Sequence, residues 1–585
     1  MAILDGVGDE VSASASASAS VCASIPDNAF NHWDDDFIQS METPYGDSEY
    51  RERAETLVKD VKILLREMQT GGVDLIERLE MVDALQCLGI DRYFDAEIKA
   101  TLDCAYRSWD TSVGIRLGSK NVTRDLNATA LALRLLRLHR YDVSADVLES
   151  FKDKNEQFFS GENNDNNTGE ECVMRSMLNL LRASSVAFPR EKVMEEVKAF
   201  SSAYLKILSE NSRDVYKRGL LKEVEYALIY DWPRTFTRWE ARNFIEIYEL
   251  DDLRLKDTRI LELAKLDFNI LQFTYKMEMK YLSRWWANSG LSKLIATRER
   301  TIEFLLWGVS STDEVNFSTC RIALAKASTL ATIMDDILDD YGTFEQLKLI
   351  KEAIVQGWDI SIVKNIPENI KMCLEFVFKA VHELVDEANK MQGRDMMPFI
   401  TKAWADCIEA GLEQARWRRS GYVPIYNEYL NTATTSAFIG PILLHVILLA
   451  APISRDDAIK KTFLNKSRFY ELIWMCIRLI DDTRDFEDER HHGDNASAIS
   501  CYMRDHIECS EAEALNHITN LIEEFLKELT WEYLNPNNAL LDWEKICFNF
   551  NRGLQFIYIF GDGFTYSHKE IKDQVLKVVV NPVDL

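Results

Sequence analysis

Chemistry in this chain concentrates in two short runs of carboxylates. In MDDILDDYGT, Asp335, Asp336 and Asp339 follow the apolar run LAKASTLATIM, and in DDTRDFEDE six acids fall within residues 481–489 behind FYELIWMCIRLI. On a helix Asp335 and Asp339 project from one face, one turn apart. Asp481, Asp485 and Glu489 extend a second stripe over two turns, with Arg478 at its head. Two carboxylates about 6 Å apart repel by roughly 3 kcal/mol at an effective dielectric of 20. Each stripe therefore needs a compensating cation. Carboxylate oxygens suit a hard divalent ion, Mg²⁺ or Mn²⁺, better than zinc. Because Mg²⁺ sheds water reluctantly and is usually completed by phosphate oxygens, the ligand expected here is phosphorylated. An EF-hand is excluded, since neither run has the loop's Gly at position 6 or its alternating ligands ending in Glu.

The stripes can face one another only if long buried helices carry them. In LVKDVKILLREM, residues 57–68, the apolar Leu57, Val58, Val61, Leu64 and Leu65 recur at three- and four-residue spacing, and similar patterns follow one another along the chain. Breakers are scarce: Gly 23 and Pro 11 compare with about 41 and 29 at average usage. No alternating strand pattern of useful length occurs, so the fold expected is all-α. At 585 residues the chain exceeds one ordinary core. Its likeliest break is ELDDLRLKDTR, residues 249–259, giving units at 31–255 and 256–585 behind a disordered Ser/Ala-rich tail at 1–30. The run Ala437 to Ile453, interrupted by Pro441 and His445, reads as a kinked core helix and not as a membrane span.

A net charge of −27 disfavours nucleic acid as a partner, so an anionic ligand must be captured locally. ATRERTIEFLLW supplies Arg298 and Arg300 for that purpose, as forked donors to phosphate oxygens. Aromatics gather in the same half: Trp285, Trp286, Trp307, Tyr558, Phe560, Phe564 and Tyr566. Any one of them is accounted for by core packing, but a pocket walled by such faces would stabilise a carbocation once water is excluded. The first fifty residues hold no Lys or Arg and carry Asp5, Asp9 and Glu10, unlike a transit or secretory peptide. An odd 11 cysteines without CxxC pairs suggest neither disulfides nor zinc. A reducing, cytoplasmic location is expected.

With these residues in view the chain resembles plant class I terpene synthases over nearly its whole length. DDILD at 335–339 looks like the family's DDxxD motif, DDTRDFEDE like its second metal motif, and RER at 298–300 like its RxR. Segments such as LGIDRYF, DLNATALALRLLRLHRY and RWEARNFIEIY look most like conifer sesquiterpene synthases of the longifolene and δ-selinene type. The resemblance implies an N-terminal helical barrel without chemistry of its own and a C-terminal isoprenoid-synthase bundle. It implies three Mg²⁺ ions, with Mn²⁺ as a substitute, held by Asp335 and Asp339 on one side and by Asp481, Asp485 and Glu489 on the other. Arg298, Arg300 and Arg478 would bind a prenyl diphosphate, Asp336 would complete the catalytic carboxylates, and Trp307 and Phe564 would line the pocket. A helix break near Thr434, Thr435 and Ser436 would steer the cation. The chain would act as a monomer with no nucleic-acid or membrane partner, converting farnesyl diphosphate to a sesquiterpene. Alternatives are a monoterpene synthase using geranyl diphosphate, a chain-lengthening prenyltransferase, and an acidic scaffold that merely binds cations.

Two departures stand out. The Ser or Thr usual in the second motif is Asp485, which bears on the third metal. The RR(x8)W motif of monoterpene synthases has Ala23 and Ser24 in place of its arginines, ten and nine residues before Trp33. No Asp-x-Asp-Asp occurs, so protonation-initiated cyclisation is not expected.

Overall fold

A computed structural model describes residues 33–116, 124–153, 157–158, 170–211, 218–250, 257–291, 298–453, 459, 467–491, 496–538, 541, 543–564 and 569–585, without the side chains of 170, 211, 485 and 487–491. The Ser-Ala tract lies outside them. The first half contains α1 (Asp35–Ser40), α2 (Ser48–Thr70), α3 (Leu75–Cys87), α4 (Asp95–Arg107), α5 (Leu126–Leu138), α6 (Glu170–Ser184), α7 (Lys192–Asn211), α8 (Arg218–Ile229) and α9 (Thr237–Glu249). The second contains α10 (Thr258–Ala287), α11 (Thr301–Ser311), α12 (Ser318–Asp336), α13 (Phe344–Val355), α14 (Glu368–Gln392), α15 (Met397–Ser420), α16 (Tyr426–Ser436), α17 (Ile439–Ala450), α18 (Arg468–His491), α19 (Ala498–Asp505), α20 (Glu511–Leu534), α21 (Glu544–Ile557) and α22 (Lys569–Val575). Among the described residues the sole sheet pairs Trp109–Asp110 with Gly114–Ile115. The all-α expectation holds.

Local sequence explains these boundaries. In α2 the expected stripe is buried through Leu57, Val61 and Leu65, and the helix lays it against α10. Asp125 and Asp257 accept from the backbone N–H groups of Ala128 and Arg259, and Thr343 with Gln346 closes a capping box at α13. The sequence break at 249–259 falls between the end of α9 and the start of α10, and 251–256 lie outside the described residues.

The two halves are joined by buried charge. Arg238, 1% exposed, donates to Asp267 (3.1 Å), to the Gly89 carbonyl (2.6 Å) and pairs with Asp313 (2.9 Å). Gly89 has φ of 65°, and a Cβ there would stand 2.1 Å from the Arg238 guanidinium. Both facts require glycine. Near the C-terminus, Val583 exchanges two hydrogen bonds of 2.9 Å with the Asn269 side chain on α10.

The apolar run of 437–453 departs from expectation in its geometry. The interruption lies upstream of Pro441 and next to the break expected near Thr434–Ser436, where Phe438 takes φ of 55° between α16 and α17. Pro441 then falls in the first turn of α17, where its missing N–H costs nothing. The stretch Tyr426–Ala450 is long and apolar enough to cross a membrane, but 78% of its apolar window is buried inside the protein.

Candidate active site

α10, α11 and α12 pack in succession, α11 also packs on α21, and α21 on α18. The two acidic helices therefore flank the α11/α21 pair. α12 is almost wholly buried up to Asp336, and there its hydrogen bonding changes: Ile337–Tyr341 form a π-turn, closed by the Gly342 N–H donating to the Ile337 carbonyl at 2.8 Å. Asp339 thus sits inside a π-turn, while Asp335 belongs to the regular helix before it. Such turns recur at functional sites, where they re-aim side chains.

Arginines from other elements hold this first stripe. Arg298 donates through Nε to Asp336 (2.8 Å) and through Nη2 to Asp335 (3.0 Å). Arg418, at the end of α15, donates to Asp339 (2.7 Å) and to the Leu338 carbonyl (3.2 Å). The Asp335 side chain keeps 43% of its accessible area. Removal from bulk water, together with the Asp339 charge and against Arg298, pushes the Asp335 carboxyl up to about 7. Burial also raises Asp336, whose Oδ2 has no hydrogen-bond partner. Burial alone would lower Arg298, but Asp336, Asp335 and Asp562 hold it above the usual range.

The second stripe is organised from within. Arg478 reaches Asp481 at 3.0 Å and Asp482 through Nε at 2.6 Å. Asp482, fully buried, also accepts from Tyr429 Oη (2.9 Å to each oxygen) and from the Ala498 N–H (2.8 Å). Tyr558 Oη donates to Asp481 at 2.7 Å. Burial raises the Asp481 carboxyl, Arg478 opposes that, and Asp562 adds to it. Asp485 and Glu489 lie within α18, their side chains outside the described set.

Asp562 bears on both sides. Its charge acts on Arg298 and on Asp481, and its Oδ1 accepts from the Phe564 N–H at 2.8 Å. Beside it the aromatic wall assembles. Trp307 stacks on Phe550 with centroids 4.1 Å apart and donates to the Phe550 carbonyl (2.8 Å); Phe564 lies 5.4 Å from Trp307, 4.8 Å from Phe304 and 6.0 Å from Tyr558. Trp285 and Trp286 are elsewhere, packed on Phe376; Phe560 is 51% exposed; Tyr566 lies outside the described residues.

Arg300 does not join Arg298 at the carboxylates. It is 1% exposed, donates to the Phe564 carbonyl at 3.0 Å, and burial lowers its pKa. Next to it, Trp33 Nε1 donates to Glu303 at 3.3 Å. The hydroxyls of Thr434, Thr435 and Ser436 bond back to the carbonyls of Leu430, Asn431 and Ala433, at the break the sequence anticipates. Sequence reasoning missed Arg418, Tyr429 and Asp562, and read Tyr558 as one of the aromatic group without its bond to Asp481. Of the three missed, only Asp562, an acid inside the aromatic run IYIFGDGFTY, left a visible signal.

Hard carboxylate oxygens with open area, Asp335 at 43% and Asp339 at 46% of the side chain, fit a divalent cation. Among the described residues no three His, Cys, Asp or Glu side chains converge to hold an ion by themselves. Water and ligand phosphate would have to complete such a shell.

Residues 287–528 match the metal binding domain of the terpene synthase family, and residues 32–228 match the terpene synthase N-terminal domain. The chain belongs to the terpene synthase family. It is an enzyme of that kind, a terpene synthase or cyclase. It is 44% identical over 575 residues to an alpha-humulene synthase of Picea glauca, covering 96% of this chain and 98% of that one. A longifolene synthase of Picea abies is 43% identical over 559 residues, with 94% and 96% covered. Among solved structures, isoprene synthase from grey poplar (Populus x canescens), in complex with three Mg²⁺ ions and dimethylallyl-S-thiolodiphosphate, superposes with a TM-score of 0.80 at 29% identity, covering 95% of this chain and 99% of that one. A divalent metal is therefore the cofactor of this terpene synthase.

Proposed function

We propose that this terpene synthase is a sesquiterpene synthase: it ionises farnesyl diphosphate and cyclises the resulting carbocation to a hydrocarbon, releasing diphosphate. The observation that carries the reading is the aromatic wall beside the carboxylates: Phe564 lies 5.4 Å from Trp307 and 6.0 Å from Tyr558, which donates to Asp481, and its N–H donates to Asp562, whose charge bears on Arg298 and Asp481. Asp335 and Asp339 would hold metal on one side and Asp481, with Asp485 and Glu489, on the other. Three Mg²⁺ ions are proposed, with Mn²⁺ able to replace them. Held there, the ions would supply positive charge to the diphosphate leaving group. Arg298 and Arg478, drawn from their carboxylates, bind the leaving diphosphate. Arg300 fixes the segment bearing Phe564. Trp307, Phe304 and Phe564 exclude water and offer ring faces to the migrating cation. Proton loss, with diphosphate as acceptor, ends the reaction and needs no covalent nucleophile.

The fifteen-carbon substrate is supported by the humulene and longifolene synthases among the relatives. A monomer in the reducing cytosol completes the proposal, in keeping with the ten described cysteines being free thiols. The deciding experiment is gas chromatography with mass spectrometry after incubation with geranyl, farnesyl and geranylgeranyl diphosphates separately, each with Mg²⁺. A cyclic C15 hydrocarbon from farnesyl diphosphate is expected. Preference for the C10 substrate, or a longer diphosphate formed only with added isopentenyl diphosphate, would overturn it.

A further inference from the structure

Three arginines crowd the end of α15, and they do different things. Arg416 and Arg419 lie over the Phe344 ring, at 5.5 and 5.3 Å, and Arg416 also pairs with Glu413 on its own helix. Arg418 alone turns the other way, to Asp339 and the Leu338 carbonyl. Its placement is built in. At Gly411, two turns earlier on the same face of α15, a Cβ would stand 2.9 Å from the Leu338 side chain. Glycine there lets the helix approach the π-turn without displacing the Leu338 side chain, and the approach delivers Arg418 to the carboxylate next in sequence. The side chain is 22% exposed, at the edge of the cleft.

Arg418 therefore occupies a carboxylate that the proposed reaction needs for metal. We infer that Arg418 is a resident counter-cation for Asp339, displaced when a divalent ion binds and then free to donate its planar fork to the incoming diphosphate. The consequence is concerted loading. The metal alone must compete with the guanidinium, whereas metal arriving with diphosphate gives the guanidinium a new partner. This inference rests on the reading of Asp335 and Asp339 as metal ligands.

The test uses full-length protein, with Mn²⁺ binding followed by electron paramagnetic resonance and inorganic diphosphate binding by calorimetry at saturating Mg²⁺. Arg418→Gln is expected to bind Mn²⁺ alone about two- to fivefold more tightly than the natural protein, the scale of one part-exposed ion pair. It is expected to bind diphosphate about tenfold more weakly, through loss of a charged donor. Arg418→Lys, which keeps the charge without the fork, should fall between the two, and it carries the test if the Gln variant does not fold. Mn²⁺ affinity that is unchanged or weaker overturns the inference, because a merely structural arginine would loosen the site. Unchanged diphosphate affinity overturns the hand-over. If the natural protein bound no Mn²⁺ even with diphosphate, the metal reading itself would fall, a result distinct from both.

Discussion

At the first acidic stretch the cations come from outside the helix, Arg298 from the segment before α11 and Arg418 from the end of α15. At the second, Arg478 belongs to the same helix, and Asp482 beside it is sealed by Tyr429 and the Ala498 N–H. The first stretch keeps accessible carboxylates at Asp335 and Asp339; in the second, among the described side chains, the part-open Asp481 stands next to Asp482 with no exposure at all. One side of the cleft is thus neutralised by partners that a ligand can displace. The other is braced by a buried network that holds the frame.

This contrast can be broken by mutation. The largest effect is expected for Asp335→Ala: hydrocarbon release from farnesyl diphosphate should fall about a thousandfold or more, while the unfolding midpoint barely moves. Retained activity would remove Asp335 from the site. Next comes Asp482→Ala, which removes the buried acceptor shared by Arg478, Tyr429 Oη and the Ala498 N–H, while Arg478 keeps Asp481. Denaturant unfolding should report a loss of about 3–5 kcal/mol, against less than about 1 kcal/mol for Asp335→Asn at its more open position. Equal costs would erase the distinction between the two stretches.

A smaller effect concerns pH. With Asp335 at about 7 in the metal-free protein, a proton competes with the ion. Mn²⁺ affinity measured without diphosphate should fall about tenfold per pH unit below 7 and level off above it. The same displacement has a stability counterpart. The folded carboxyl lies above its unfolded value near 4, so the folded state binds the extra proton between about pH 4 and 7. Metal-free protein should lose stability as pH rises through that window, and Asp335→Asn should flatten the slope. The smallest change is expected for Tyr558→Phe, which removes one donor to Asp481: half-saturating Mg²⁺ should shift only a few-fold, the scale of one hydrogen bond to a charged group.

The helices were legible because their apolar spacing is regular, as in α2. The carboxylates were legible because acids abutting buried helices need a partner. What stayed hidden involved residues distant in sequence or changes of geometry within a helix. Nothing in WRRSG says that Arg418 and not Arg419 turns toward a carboxylate on another helix. Arg300 resembles Arg298 in sequence, yet burial commits it to a backbone carbonyl. The break before α17 was expected from the family resemblance, but its device, Phe438 in a left-handed conformation, is not announced by its residue type, and Pro441 fits into a first turn.

The π-turn at Ile337–Tyr341 ties the direction of a side chain to the length of the chain. Removing one residue from this segment would let ordinary α-helical bonding continue, but everything beyond the deletion would rotate by about 100° and advance by about 1.5 Å. Such a shortened protein could melt later than its parent and still release no hydrocarbon, having traded a local irregularity for a carboxylate that points the wrong way.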